Sequence, residues 1–464
     1  MKKPNKKVLS GLLARPAVLI FLLTWFAYGA AINSSNLIAF DLQQIGVEAM
    51  VERHHFYLEG SASPQMQTKG DVFKYNGHLY AAKQPGQFMA GAVVYFLPRI
   101  FGLTYLKNYL LTSALVTFFT ASLVLAASAA AVFEIARELA ADRNDLFWPT
   151  GAALIYALAT TTFSYSGIAH HDALATGYLV IAFYFIFQLS RRHVDQHAYL
   201  KSCATGLLLG LTITTSMLPF FMVILCLLYF VSLRRSGLLP IFLVGLLAGL
   251  LPLFIYDAVS FGNPLRLANI AGASMFADTF WHFEPRNFGD KLATYSRALL
   301  FYVPTFAVGL FGLSYYPGKI KCSAEFLTII GLMIVLAAYV LNISSDGDCQ
   351  FGPRYLLPAM PFACLGIVGY SYLSRLTERR LAAITVVFAG AYSFAINLVG
   401  ALRGSMNCPR GENAFWNHIA AWGQGERLVY PLAWWLFFPL LLCVTLFVLN
   451  IIANMVRSRT VREG

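Results

Sequence analysis

The stretch NYLLTSALVTFFTASLVLAASAAAVF, residues 108–133, decides the fold class of this chain. It contains no Asp, Glu, Lys or Arg and exceeds the ~20 residues that a transmembrane helix needs. Of the 464 residues, 58% are hydrophobic and 12% are charged, which is about half the charge of a soluble domain. A closed β-barrel would instead show short alternating segments. The composition therefore excludes a soluble or disordered protein and predicts a helical membrane protein.

Eleven further apolar segments predict about twelve transmembrane helices in one all-α polytopic domain, residues 1–464. Pro219 interrupts one long apolar run and makes the division there the least sharp. The other segments are Pro16–Ile32, 149–166, 172–189, 199–215, 217–233, 238–256, 299–314, 326–342, 355–373, 381–401 and 431–453.

The net charge of +12 follows the topology of a membrane protein and does not indicate a nucleic-acid partner. Basic residues precede the first segment, which we interpret as a retained signal anchor. With twelve spans both termini lie in the cytoplasm, and Lys and Arg are roughly threefold denser inside than outside. We therefore expect a multi-pass protein of the cytoplasmic (inner) membrane, in contact with its lipids. Three long outer (periplasmic) loops follow, at 33–107, 257–298 and 402–430.

The first outer loop begins with an acidic stretch, FDLQQIGVEAMVERHHF at 40–56. On an α-helix Asp41, Glu48 and Glu52 fall within about 40° of one another. This pattern predicts an amphipathic juxtamembrane helix at the membrane surface. Like charges on one stripe repel, so we expect one of the three to have a raised pKa or a cationic partner. The alternative is a solvated polar face.

Further along this loop, GDVFKYNGHLYAAKQPGQF at 70–88 contains a turn signal, Asn76-Gly77. Lys83 stands just before a predicted helix, where backbone amides and the helix dipole favour an anion. The alternative is a lysine that anchors this helix to lipid headgroups. The stretch also supplies the candidate site residues Asp71, His78 and Tyr80.

A short outer turn, SYSGIAHHDALATGY at 164–178, carries His170, His171 and Asp172 at the mouth of a span. Ionisable groups at such depth are functional by default. The three residue types also suit a metal ion. Adjacent histidines on one helix point in different directions, however. We therefore predict no cofactor and regard a divalent metal as the less favoured alternative.

The stretch SSDGDCQFGPRYLLPAMPF at 344–362 places Asp346, Asp348, Arg354 and Tyr355 before another span. An arginine there suits a phosphate or a carboxylate, because its planar fork binds two oxygens. Cys349 and a cysteine in the last outer loop, at position 408, are the natural disulfide pair in an oxidising compartment. The alternative is two free thiols too far apart to bridge.

These motifs together resemble the lipid-linked glycosyltransferases of the GT-C fold. The relatives are bacterial family-39-like enzymes, protein O-mannosyltransferases and lipid A aminoarabinose transferases. Besides the acidic stretch, the resemblance is carried by GHLYAAKQPGQ at 77–87, YDAVSFGNPL at 256–265 and FGPRYLLPAMPF at 351–362.

The resemblance implies inverting transfer of a monosaccharide from a polyprenyl-phosphate donor to a hydroxyl of a lipid, glycan or protein, at the outer face. It places the catalytic carboxylate just after the first span, which makes Asp41 the first choice before Glu48 and Asp71. The donor phosphate would be held by Arg354 and Lys83, with His170 or His171 as a further donor. Two other classes stay open: a twelve-span transporter, and a non-enzymatic lipid- or glycan-handling membrane protein.

Overall fold

The computed structural model describes residues 15–61, 63, 66, 71–191, 196–272, 282–319, 323–345, 350–405 and 413–463, with side chains to residue 450. Asp346, Asp348 and both cysteines of the predicted disulfide, Cys349 and Cys408, lie outside these residues.

Helices occupy all twelve of the apolar segments. The α-helices are α1 Pro16–Ala31, α2 Ser34–Ala39, α3 Leu42–Glu48, α4 Gly86–Ile100, α5 Tyr109–Thr117, α6 Leu123–Leu139, α7 Phe147–Leu158, α8 Thr161–Ser166, α9 His171–Arg191, α10 Ala198–Thr215, α11 Phe220–Ser232, α12 Leu239–Phe261, α13 Ala268–Ala271, α14 Phe288–Tyr302, α15 Pro304–Leu313, α16 Ser323–Val340, α17 Met360–Leu365, α18 Leu376–Arg403, α19 Ala414–Gly423 and α20 Ala433–Glu463. Short 3-10 helices lie at Ser236–Leu238, Pro285–Asn287, Arg354–Ala359 and Gly366–Tyr372, and π-helical turns at Ala49–Arg53 and Phe118–Ser122.

The predicted helical membrane fold is confirmed, whereas the count of twelve spans stays a prediction. Among the described residues six helices are long and apolar enough to cross a membrane, or seven if one bent pair counts as a span. That pair, Pro285–Tyr302 and Pro304–Leu313, bends by 101°, because a proline at 304 cannot continue the preceding helix. The segment 149–166 is likewise broken, between α7 and α8.

The first outer loop contains a small β-hairpin that an all-α prediction omits. Strand β1, Val72–Tyr75, pairs antiparallel with β2, His78–Ala81. Both residues of the connecting turn, Asn76 and Gly77, have positive φ, 49° and 90°. A two-residue type I′ turn requires this geometry and favours Asn-Gly. The turn signal at 76–77 thus marks a hairpin, which sets Asp71 and Lys83 at the two ends of its strands.

The acidic helix of the first loop is buried and does not lie on a surface. All seven residues of α3 are buried, and Leu42, Ile45 and Val47 belong to an apolar cluster that includes Phe88. The chain then changes to a π-helical turn, Ala49–Arg53. Since a π-helix has more residues per turn than an α-helix, the expected common stripe of Glu48 and Glu52 is not maintained.

Helices α10 and α12 pack closely side by side through glycines. A Cβ on Gly206 would collide with the carbonyl oxygen of Phe242, and one on Gly245 with that of Cys203. Small residues spaced four apart permit such close backbone approach between membrane helices. The C-terminal end of α10, with Ser216 just beyond it, lies against the start of α4, where a Cβ on Gly86 would collide with Thr215.

Candidate functional site

The side chains of His170, His171 and Asp172 gather at the start of α9. The helix begins at His171, so His170 precedes it. The direction of the His170 side chain is therefore not set by the helix geometry. The two imidazoles stack with centroids 4.5 Å apart. The expectation that adjacent histidines must point apart is therefore wrong, because only one of them lies on the helix.

Arg354 reaches this cluster from the other end of the chain. Its Nη1 donates to Nε2 of His170 at 3.0 Å, and its Nε lies 3.7 Å from Oδ2 of Asp172. Gly352, two residues earlier, has φ of +72°, and a Cβ there would lie 2.8 Å from the Thr161 side chain. Glycine at 352 thus permits the backbone turn that places Arg354 in the site.

Both ring nitrogens of His170 face hydrogen-bond donors. The guanidinium of Arg354 can only donate and approaches Nε2, and the backbone N–H of Asp172 donates to Nδ1 at 3.1 Å. Oδ2 of Asp172 lies 3.9 Å from the same Nδ1. The carboxylate of Asp172 also accepts a hydrogen bond from the Ser216 hydroxyl at 2.6 Å.

The base of the hairpin adds a second cation and a second carboxylate. Lys83 Nζ lies 3.0 Å from Oδ2 of Asp71, and this cation holds the pKa of Asp71 below its ordinary value. His171 and Arg354 also lower the pKa of Asp71, which places the pair within electrostatic range of the histidine cluster. Asp71 is therefore a poor proton acceptor.

Asp41 follows a residue that packs against the same cluster. The preceding residue, Phe40, stacks on His170 with ring centroids 4.9 Å apart and on His171 at 6.0 Å. Asp41 itself is buried, and its side chain does not cap α3. The first-choice carboxylate thus follows directly on a residue that contacts the site.

The other two acidic residues of the stretch pair with different arginines. Glu48 Oε2 lies 2.8 Å from Arg53. Burial raises the pKa of Glu48, and Arg53 opposes this effect. Glu52 accepts hydrogen bonds from Tyr95 at 2.6 Å and from Arg99 at 3.0 Å.

The remaining candidates divide between the site and the hairpin. The Tyr355 ring lies under the guanidinium of Arg354 at 4.8 Å, and its hydroxyl lies 2.8 Å from Ser345. His78 is exposed and pairs with Glu59 at 2.6 Å. The Tyr80 ring packs against the rings of Phe73 and Phe261.

Sequence reasoning missed two residues that build the site. Phe40 provides the aromatic face against the histidines, and Ser216 binds Asp172 from the end of α10. For Phe40 the position beside Asp41 is a usable signal. For Ser216 no local pattern exists, since its contact depends on how α9 and α10 pack.

The described residues contain one group of three potential metal ligands whose ligand atoms lie within 4.8 Å of one another. It consists of His170, His171 and Asp172. The guanidinium of Arg354 already contacts both His170 and Asp172. A divalent cation between these ligands would meet that positive charge in a buried site, where like charges repel strongly. In this arrangement the residues fit a metal ion poorly.

No family model and no curated protein matches this chain, whereas several solved structures do. The oligosaccharyltransferase of Archaeoglobus fulgidus matches in two structures. With a tethered acceptor peptide containing the NVT sequon the TM-score is 0.53, at 12% identity over 88% of this chain and 57% of that chain. In complex with Zn and sulfate it is 0.51, at 14% identity over 88% and 55%.

ArnT from Cupriavidus metallidurans bound to undecaprenyl phosphate has a TM-score of 0.48, at 15% identity over 94% of this chain and 76% of that chain. The present chain spans a little over half the length of the oligosaccharyltransferase. The likeness to that enzyme confirms the expected GT-C fold.

Proposed function

We propose that this chain, which has the GT-C fold, transfers a monosaccharide from a polyprenyl-phosphate donor to an acceptor hydroxyl at the outer face of the membrane. One observation carries the proposal: cations, imidazoles and carboxylates from three distant segments, with Arg354 and residues 170–172 buried, meet at one end of apolar helices. A lipid-linked sugar has its phosphate where an apolar tail meets a polar head. A buried anion site at the end of apolar helices suits that molecule. The shared fold with an oligosaccharyltransferase supports the same reaction class.

The phosphate would bind between Arg354, Lys83 and His171. Two buried nitrogens there, Nε of Arg354 and Nδ1 of His171, have no hydrogen-bond partner among the described residues. Buried polar atoms are normally paired, and an anion would supply the missing acceptor. A guanidinium binds phosphate through two parallel hydrogen bonds. Asp172 and His170 then act as positioning residues that orient the guanidinium.

The reaction needs a base and a stabilised leaving group. The acceptor oxygen attacks the anomeric carbon from the side opposite the phosphate, which inverts the configuration. The bond between this carbon and the phosphate oxygen breaks, and its electron pair leaves with the polyprenyl phosphate. The acceptor proton passes to a carboxylate. Arg354 and Lys83 stabilise the charge that develops on the leaving phosphate.

Asp41 is the carboxylate that we assign as the base. Arg53 holds Glu48, and Lys83 lowers the pKa of Asp71, so both alternatives are engaged by cations. Asp41 follows Phe40, whose ring contacts His170 and His171. An acceptor that reaches the anomeric carbon beside this phosphate site therefore approaches the segment that carries Asp41.

The charge distribution of the sequence supports the orientation. With both termini in the cytoplasm, the Lys- and Arg-rich short loops face inward. The loops that build the site then face the outer side of the inner membrane. The acceptor class, a lipid, a glycan or a protein, is set by the loops above the site.

The proposal is tested with purified protein in lipid nanodiscs and a panel of radiolabelled polyprenyl-phosphate sugars. We expect release of polyprenyl phosphate when a cell-envelope extract supplies the acceptor, and no release by Arg354→Ala. Movement of a labelled solute across proteoliposomes without chemical transfer would identify a transporter instead. Absence of turnover together with absence of lipid-phosphate binding would refute the proposal.

A further inference from the structure

A second set of buried polar side chains belongs to the segments that pack around the start of α4. Gln43, Gln84 and Asp257 each bury both of their side-chain polar atoms without a hydrogen-bond partner among the described residues. The hydroxyls of Thr215 and Ser260 are also buried without a hydrogen-bond partner among the described residues. We call these five residues the polar cluster. Asp257 is 0% exposed. A native protein leaves only a few such atoms unpaired, and a concentration of them requires an explanation.

Three helices that carry members of the polar cluster pack against α4. A Cβ on Gly86, two residues after Gln84, would collide with the Thr215 side chain, which places the end of α10 against this turn. On another side, the Phe88 ring lies 5.7 Å from the ring of Tyr256, the residue before Asp257.

The remaining two members follow from helical spacing. Asp257 and Ser260 are three residues apart and both buried, so they share one face of α12. A Cβ on Gly46 would lie 2.8 Å from Phe88, and Gln43 lies one turn before Gly46 on α3. Helices α3, α10 and α12 thus each pack against α4 and each carry buried polar residues without a partner among the described residues.

We propose that the polar cluster is the subsite for the sugar ring of the lipid-linked donor, an inference that rests on the proposed function. Its side chains are one carboxylate, two carboxamides and two hydroxyls, and none of the five is a cation. This set offers acceptors and donors to vicinal hydroxyl groups. It does not suit a phosphate, which requires cations or amide donors. A neutral polyhydroxyl group is the ligand class that fits.

The chain connects this subsite directly to the phosphate site. Lys83 belongs to the phosphate site and pairs with Asp71, whereas the next residue, Gln84, belongs to the polar cluster. Two neighbouring residues at the end of α10 are likewise shared between the two sites. Ser216 donates to Asp172 of the phosphate site, and the preceding Thr215 belongs to the polar cluster. In a sugar phosphate only one oxygen separates the anomeric carbon from phosphorus. A sugar subsite must therefore adjoin the phosphate site, as this cluster does at two points.

The inference is tested by equilibrium binding of undecaprenyl phosphate, bare and linked to glucose, mannose, galactose, arabinose or N-acetylglucosamine. We expect wild-type protein to bind at least one linked form more tightly than the bare lipid phosphate. Asp257→Leu should lose this gain, at least about tenfold, the effect of one hydrogen bond to a charged group. Its affinity for bare undecaprenyl phosphate should stay unchanged, whereas Arg354→Gln should weaken both.

Stability of the ligand-free protein separates binding from folding. An unpaired buried carboxylate destabilises the fold, so Asp257→Leu should keep or raise the melting temperature. The matched control is Glu325→Leu, which removes a buried carboxylate that accepts a 2.7 Å hydrogen bond from Ser190. This control should lower the melting temperature and leave the preference for the linked lipid intact.

Three results would overturn the inference. If Asp257→Leu binds the linked lipid as wild type does, or weakens bare and linked forms equally, the cluster is not a sugar subsite, and the proposed function stands. If wild type binds bare undecaprenyl phosphate and gains nothing from any sugar, the inference also fails alone. If wild type binds neither form, the proposed function fails and takes the inference with it.

Discussion

Separating the buried pair of Arg354 and Asp172 should destabilise the protein by an amount that the structure sets. The guanidinium lies 3.7 Å from the carboxylate and donates to His170 at 3.0 Å. Arg354→Gln would leave Asp172, 2% exposed, as a buried charge with the Ser216 hydroxyl as its hydrogen-bond donor. Breaking a buried ion pair on one side costs about 3–5 kcal/mol.

This free energy converts into a measurable shift in melting temperature. At ~2.1 cal/mol/K per residue, the unfolding entropy of 464 residues is about 1 kcal/mol/K. We therefore expect Arg354→Gln to lower the melting temperature by about 3–5 °C. Asp172→Asn leaves an uncompensated guanidinium and should have a similar effect. The double variant has no charge at either position and should recover most of the stability.

Two measurements on the single and double variants separate stability from activity. Thermal unfolding in detergent, followed by tryptophan fluorescence, measures the stability of each variant. Release of polyprenyl phosphate measures its activity. The double variant should be stable but inactive, because the cation for the leaving phosphate is absent. If the double variant is as unstable as the sum of the single variants, the two residues are not energetically coupled, and our assignment of Asp172 as the positioning partner of Arg354 is refuted.

Three further predictions concern the base, the helix packing and acid sensitivity. Asp41→Asn should lower turnover by at least about 10² with donor affinity retained; normal turnover would move the base elsewhere. Gly206→Ala should lower the melting temperature because overpacking costs about 1–3 kcal/mol, whereas Gly151→Ala, where a Cβ meets no atom within 4 Å, should not; equal shifts would contradict the close packing of α10 and α12. The lowered pKa of Asp71 means that its pair with Lys83 stabilises the fold above about pH 4 and is lost as the pH falls through the lowered value. Below pH 4 the melting temperature of Asp71→Asn should thus fall less than that of wild type, and parallel curves would exclude this pair as a source of acid sensitivity.

The fold class was predictable because it depends on local composition. A bilayer forces every backbone polar group in a spanning segment to bond within its own helix, so an uncharged stretch such as 108–133 specifies a helix whatever its neighbours are. The hairpin turn at Asn76-Gly77 was visible for a similar reason, since two adjacent residues determine the turn type. In both cases the information is contained in one short segment.

The site was predictable only in part, because its residues come from separate segments. Lys83, Arg354 and His170 each stood out as polar donors at helix ends, and the structure brings them together. The relation between neighbouring residues was harder to predict. Whether His170 and His171 share a direction depends on the helix starting at residue 171, and a shift of one residue in a helix boundary lies within the error of any sequence pattern.

Asp257 shows how a small boundary error hides a functional residue. The predicted span ended at residue 256, so Asp257 became the first residue of an outer loop, where a carboxylate needs no explanation. In the structure the helix continues to Phe261, and Asp257 is fully buried on it. A carboxylate in that position is costly unless something compensates it, and no described residue does. The free energy that this residue costs the ligand-free fold is then recovered only when a polar ligand binds, which is the behaviour expected of a recognition group and not of a structural one.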